Sequence, residues 1–449
     1  MAETGEDVSL RKRTGAIVRL DAMRARKLVA AFTRPVTATA DGLSRAGSDA
    51  IGSAAYGWVT LDRPEGDAPA SVIGHYKTHL YLHGLAHLPL SVTRQLVRHK
   101  GHLYLDKLTY LTDSVAAELA KHVGGGLSLN NLSQLSATAA RSLGRHEGEL
   151  SFQRLRRLSP EAARGLARHA SDLYLAGLVR VPSRVAAALA THRGNLALEG
   201  CERLSGHAAR HLARHRGELH LHGLVSLSDA EAGAFGGREG HLCLKSLRRL
   251  SREQARHLAS HRGPLLFQQL ALDEPVAEWL GCHEGSLVIR VADGIPLATL
   301  AALAAHRGPL EIGGLASLDV ARAKLLAGRP FRRGTAGLNG LGLSGVKQVT
   351  PAVAAILATY AAGELSLSGI ESLGEDVARE LVKHPLLALD RVKRLGDSVA
   401  RVLASHSGAS LSLRSLEEAS PSAIAVLRGN PGVQLPQRFL QTADAGGGH

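Results

Sequence analysis

A chain of 449 residues with 45% apolar and only 3% aromatic side chains can bury a large core, but that core must be built from Leu, Ala and Val. A formal net charge of +14 points to anions, nucleic acid or acidic proteins as partners, or to a composition simply rich in Arg, Ala and Gly. The three cysteines, Cys201, Cys243 and Cys282, form no CxxC pair, which excludes a disulfide framework, and no apolar run reaches the ~18 residues of a membrane span.

Residues 1–54 read as a basic N-terminal segment and cap. Their stretch RKRTGAIVRLDAMRARKL is a basic, partly amphipathic helix candidate. No apolar stretch there is long enough for a signal peptide, so the cytoplasm is the expected compartment. From residue 55 to residue 435 the chain is repetitive. After a degenerate strand, WVTL at 58–61, the stretches LYLHGLAHLPLSVTRQLVRHKG from Leu80, LYLDKLTYLTDSVAAELAKHVG from Leu103 and LYLAGLVRVPSRVAAALATHRG from Leu173 align on one pattern. That pattern is LxLxGLxxLSxxxAxxLAxHxGx, with a period of about 23 residues. An insertion at 328–340, GRPFRRGTAGLNG, lengthens one step and adds Arg329, Arg332 and Arg333 around Phe331. Residues 436–449 read as a flexible tail.

Within each unit the LxL alternation predicts a strand with its leucines inward and its middle residue outward. The following Ser is placed to cap a short helix. At 159–163 the stretch SPEAA puts Pro160 at the first helical position. Ser228 with Glu231, and Ser251 with Gln254, have capping-box spacing. The Gly two residues after a recurring His, as at Gly194, Gly217 and Gly263, is placed as a helix C-cap. One unit cannot cover its own apolar side, whereas stacked units share a continuous core. The predicted fold class is therefore α/β: a right-handed parallel β/α solenoid, curved or superhelical, of about fifteen units.

Over residues 55–435 this pattern resembles leucine-rich-repeat proteins, in particular short bacterial variants with a strand and a helix in each unit. The family's Asn or Cys after LxLxx is replaced by Leu85, Leu108, Leu132, Leu155 and Leu178, with Cys201 once, expected to pack as a small apolar residue. The resemblance implies recognition of another macromolecule on the sheet face and little catalysis; fold alone does not assign function.

A histidine recurs in register at His75, His99, His122, His146, His169, His192, His215, His261, His283, His306, His384 and His406, with Arg238 and Tyr360 in its place elsewhere. It falls at the helix C-terminus on the edge of the core stripe, half-buried, where a ring nitrogen can bond a terminal carbonyl. A shared metal is not expected, because stacked helices lie about 8–10 Å apart. Charging a dozen such rings predicts a loss of stability near pH 5–6. His211 and His215 are four apart, but no Glu follows His211, so the HExxH metalloprotease motif is absent.

Outward strand positions in the N-terminal half give the candidate partner-binding set: His79, Tyr81, His83, His102, Tyr104, Asp106, Tyr174, His220 and His222. Tyr is favoured at recognition surfaces because it combines area with a hydrogen bond. Cross-strand neighbours about 4.8 Å apart place His79 by His102 and His83 by Asp106. The same spacing makes His220, His241 and Cys243 a candidate metal set by residue type. Helix surfaces carry Arg141, Arg145, Arg164, Arg168, Arg210 and Arg214, and turns carry Arg156 and Arg157, Arg248 and Arg249, and Lys393 and Arg394.

No P-loop, GxSxG elbow or paired-carboxylate motif occurs. The expected function is a non-enzymatic, monomeric, cytoplasmic scaffold without a cofactor, binding a protein on its strand face. The alternative is anion or nucleic-acid binding through the Arg-rich surface.

Overall fold

A computed structural model describes residues 80–82, 85–292, 294–330 and 340–440. The N-terminal segment, the WVTL strand, His75, His79, His83, residues 331–339 of the insertion and the tail beyond Leu440 lie outside the described residues, as does the side chain of Tyr81. The chain divides into two compact units at Leu224 and Val225.

Each unit is a repeat α/β solenoid of parallel strand, turn and short helix. In the first, two-residue strands from Leu80–Tyr81 to Leu219–His220 pair in parallel in chain order, and the register joins the first leucine of one strand to the first leucine of the next. In the second, strands from Leu242–Cys243 to Val433–Gln434 repeat the scheme, and Arg394–Leu395 with Glu418–Ala419 form a separate small parallel pair. Sequence repetition produces this register. A one-residue slip would carry every leucine to the opposite face.

The alternation is obeyed. Leu103 and Leu105 are fully buried, with the half-exposed Tyr104 between them. The helix Pro160–Leu166 buries Ala162, Ala163 and Leu166. The leucines that stand where the resembled family has Asn point inward: Leu108, Leu132, Leu155 and also Cys201 are 0% exposed. The turn closes through its own backbone instead, Leu108 N donating to Leu105 O (3.1 Å) and Cys201 N to Leu198 O (3.1 Å). Cys201 packs in the core as its place in the repeat predicts, and its Sγ also donates to Arg203 O (3.4 Å).

Helix starts follow the sequence. Ser136, Ser159 and Ser205 each accept from the backbone N–H three residues on. Ser228–Glu231 and Ser251–Gln254 are complete capping boxes. Replacing Ser228 by Ala is expected to cost about 1 kcal/mol, read as a lower urea midpoint with an unchanged m-value.

Helix ends do not follow it. The C-cap residue is right-handed, as at Ala190 (φ −61°, ψ −17°), and among the described residues positive φ is found only at Gly294 and Gly314. Gly194 and Gly217 are therefore not left-handed caps. A Cβ on Gly194 would lie 2.3 Å from Ser171 O, and one on Gly217 2.3 Å from Gly194 O. The glycine is needed because successive turns touch backbone to backbone.

Candidate functional site

The outward strand face of the first unit is a hydrogen-bonded polar surface. The Ser128 hydroxyl and the Asn130 amide N–H both donate to Asp106 Oδ1 (2.8 and 3.3 Å). Asn130 Nδ2 donates to Ser128 Oγ (2.7 Å), and Ser151 Oγ donates to Asn130 Oδ1 (2.8 Å). The Asp172 carboxylate accepts from the Asn195 N–H (3.3 Å) and from the Tyr174 hydroxyl (3.4 Å). Partial burial, and then the negative charge of Asp172, push the Tyr174 phenol up to about 12. It is a neutral donor at any physiological pH.

Three histidines on this face pair with carboxylates. His102 stacks on Tyr104 (ring centroids 4.2 Å) and its Nδ1 lies 3.1 Å from Glu149 Oε1. His222 Nδ1 lies 3.0 Å from Glu199 Oε1, His220 Nε2 lies 3.2 Å from Glu218 Oε2, and the two rings meet edge to face at 5.3 Å.

The candidate set thus separates. Tyr104, Asp106, Tyr174, His220 and His222 are half-exposed on the strand face. His102 is buried (7% exposed) and stacks on Tyr104. Of the metal set, His220 belongs to the first unit while His241 and Cys243 belong to the second. Cys243 occupies an outward strand position yet is 1% exposed, in register with Leu266 of the next strand.

Beneath the helix ends the recurring histidines form a buried stack. From His99 to His215 adjacent ring centroids are 5.6–6.4 Å apart, and their planes become nearly parallel, 2° for His146 against His169. In the second unit His261, His283 and His306 continue the motif, and Tyr360 stacks on His384 at 6.1 Å. The rings lie deeper and closer than the expected half-buried edge: His122 is 0% and His169 1% exposed. The reason is local. After Leu166 the helix tightens, and His169 N bonds Leu166 O (2.9 Å), so the imidazole eclipses the inward Leu166.

Burial holds these rings neutral. His122, His146, His169 and His261 are lowered to about 4 and His306 to about 3. Burial is the largest cause throughout. Around His122, carbonyls of Gly101, His99 and Gly125 pull the other way without reaching hydrogen-bond geometry. Bonds do form at His261 Nδ1 to Phe235 O (3.1 Å), His384 Nε2 to Tyr360 O (2.8 Å) and His406 Nε2 to His384 O (2.9 Å).

Two members of this column are missed by the histidine spacing. Arg329, assigned from sequence to the basic insertion, is 5% exposed and donates to His306 O (3.0 Å) and Gly308 O (2.8 Å). It fills the histidine slot and is unavailable to a phosphate. Its separation from His306, 23 residues, was the available signal. Asn430 plays the same part near the chain's end, donating to Ala404 O and His406 O.

No protein-family model matches the chain, and no curated protein matches it. A solved structure with a similar chain is that of the Toll–Spatzle complex, described as a molecular hub in Drosophila development and innate immunity. The likeness is 11% in identity, covers 75% of this chain and 42% of that one, and has a TM-score of 0.35. The chain thus spans less than half the length of that neighbour.

One groove of the first unit is lined with arginine. Arg154, Arg156 and Arg157 line a groove of about 1030 Å³ with Ser133, Gln134 and Ser159. Arg154 is tied to Asn131 (2.8 Å). Among the described residues no helix is long and apolar enough to cross a membrane.

Proposed function

We propose that the protein is a non-enzymatic interaction scaffold and that the strand face of its first unit docks a protein partner. The observation that carries this reading is the fixing of Tyr104 and Tyr174, half-exposed on rigid strands, by His102 and Asp172. Aromatic anchors held in place before binding lose little rotamer freedom on docking. The carboxylates of the face support the reading as well. Asp106, Asp172, Glu199 and Glu218 each engage a neighbouring side chain or amide, an arrangement suited to a shaped surface rather than to proton transfer.

Replacing Tyr104 and Tyr174 together by Ala is expected to weaken partner binding at least about tenfold while the far-UV circular dichroism spectrum stays that of wild type. The measurement is quantitative crosslink capture of wild type and variant side by side, after nuclease treatment. Capture that is equal for both proteins rejects the strand face as the docking surface.

A further inference from the structure

The residue just before each buried histidine is exposed in the turn just past the helix C-cap, and in the first unit it is almost always a cation. The six positions are Arg98, Lys121, Arg145, Arg168, Thr191 and Arg214, all exposed. Four of them have a second exposed cation one helical turn earlier: Arg94, Arg141, Arg164 and Arg210. Acids neutralise only part of the stripe. Glu118 pairs with Lys121 and Glu161 with Arg164, whereas Arg98, Arg145, Arg168 and Arg214 have no ion pair among the described residues.

A helix C-terminus attracts cations through its dipole, so the stripe needs comparison with an equivalent lacking a ligand. The second unit supplies one. It has the same helix ends over the same kind of column, yet the matching positions include Ser260, Cys282, Ala305, Thr359 and Ser405. Lys383 is the basic residue there, and Glu380 engages it. Helix-end electrostatics therefore does not demand the stripe.

We infer that this stripe binds the phosphate backbone of a nucleic-acid duplex, without reading its sequence. Charge complementarity selects a polyanion. The imidazoles directly beneath repeat at 5.6–6.4 Å. Five such steps make a row of about 30 Å, close to one turn of B-form duplex (about 34 Å). The stripe contains no aromatic side chain on which an unpaired base could stack, which disfavours a single strand. It also lacks the continuous apolar face that would enter a lipid surface.

The test is fluorescence anisotropy of the full chain with a random-sequence DNA duplex of about 30 base pairs, from about 50 to about 300 mM salt. The variant Arg145→Ser/Arg168→Ser/Arg214→Ser is expected to bind at least about tenfold more weakly near 100 mM salt. Its slope of log K against log salt should be shallower by about 3. The control Ser260→Glu/Thr359→Glu/Ser405→Glu changes net charge by the same amount in the second unit and should stay within about twofold of wild type. Arg145→Lys/Arg168→Lys/Arg214→Lys keeps the charge and should bind nearly as wild type does, which separates lost contacts from misfolding. Equal losses in the serine variant and the control would reduce the effect to net charge and overturn the proposal. So would absence of duplex binding, or a serine variant that loses binding to phosphatidylserine vesicles but not to duplex.

Discussion

Acidification from pH 6.5 towards pH 4 is expected to strip the protein of most of its stability, with no comparable loss between pH 8 and pH 6.5. The cause is the buried histidine column. In the unfolded chain these rings take up protons below about 6.5, whereas in the folded chain His122, His146, His169 and His261 do so only near 4. The sign follows directly. Above the unfolded value neither state is protonated and stability is full. Between the two values the unfolded state gains protons that the folded state refuses, so stability falls with pH. Below about 4 the loss levels off for these rings.

Each such ring contributes a slope of about 1.4 kcal/mol per pH unit and a total of about 3 kcal/mol. Four rings together amount to about 12 kcal/mol, comparable with the roughly 5–15 kcal/mol net stability of an ordinary domain. Melting temperature followed by circular dichroism from about pH 8 to about pH 4 measures this. A flat profile would show that the column does not govern acid stability. His169→Asn uses a side chain that the fold already accepts in this column at Asn430. It should shift the acid transition to lower pH and remove about one proton from its uptake.

Gly194→Ala is expected to destabilise the first unit by about 1–3 kcal/mol, and Gly237→Ala to leave stability unchanged or raise it by up to about 1 kcal/mol. Both glycines follow a helix and both have ordinary negative φ, so conformational freedom does not distinguish them. Their surroundings do. A methyl on Gly194 would sit 2.3 Å from Ser171 O, 2.6 Å from Ser171 C and 2.8 Å from Ala170 O, all main-chain atoms that cannot swing aside. Around Gly237 nothing lies within 4 Å of the same methyl, so alanine there only restricts the unfolded chain. Urea unfolding of the two variants decides the matter. Equal losses would mean that the turns can separate and that close contact between units is not what retains the glycine.

Much of this architecture was legible in the linear pattern. Periodicity of Leu and Ala specifies parallel strands, their register and the inward stripe of each helix, because these depend on a repeat that every unit restates. The caps at Ser159, Ser228 and Ser251 were equally legible, since an N-cap acts within four residues of chain.

Features that join one unit to the next were not. Glycine two residues past the histidine reads as a helix terminator, and becomes a contact between turns only once Ser171 O is placed against it. Arg329 reads as surface charge until the stack places it between His306 O and Gly308 O. His102 reads as an outward side chain until Tyr104 and Glu149 close around it. Identical spacing cannot say how deep a ring lies: the local turn aims His169 inward, and the neighbouring rings at about 6 Å complete its burial. Local rules of pattern and capping therefore set the strands, the helix starts and the common register. Full burial and the depressed imidazole pKa values arise from contacts between successive repeats within a unit, which a one-dimensional pattern implies but does not measure.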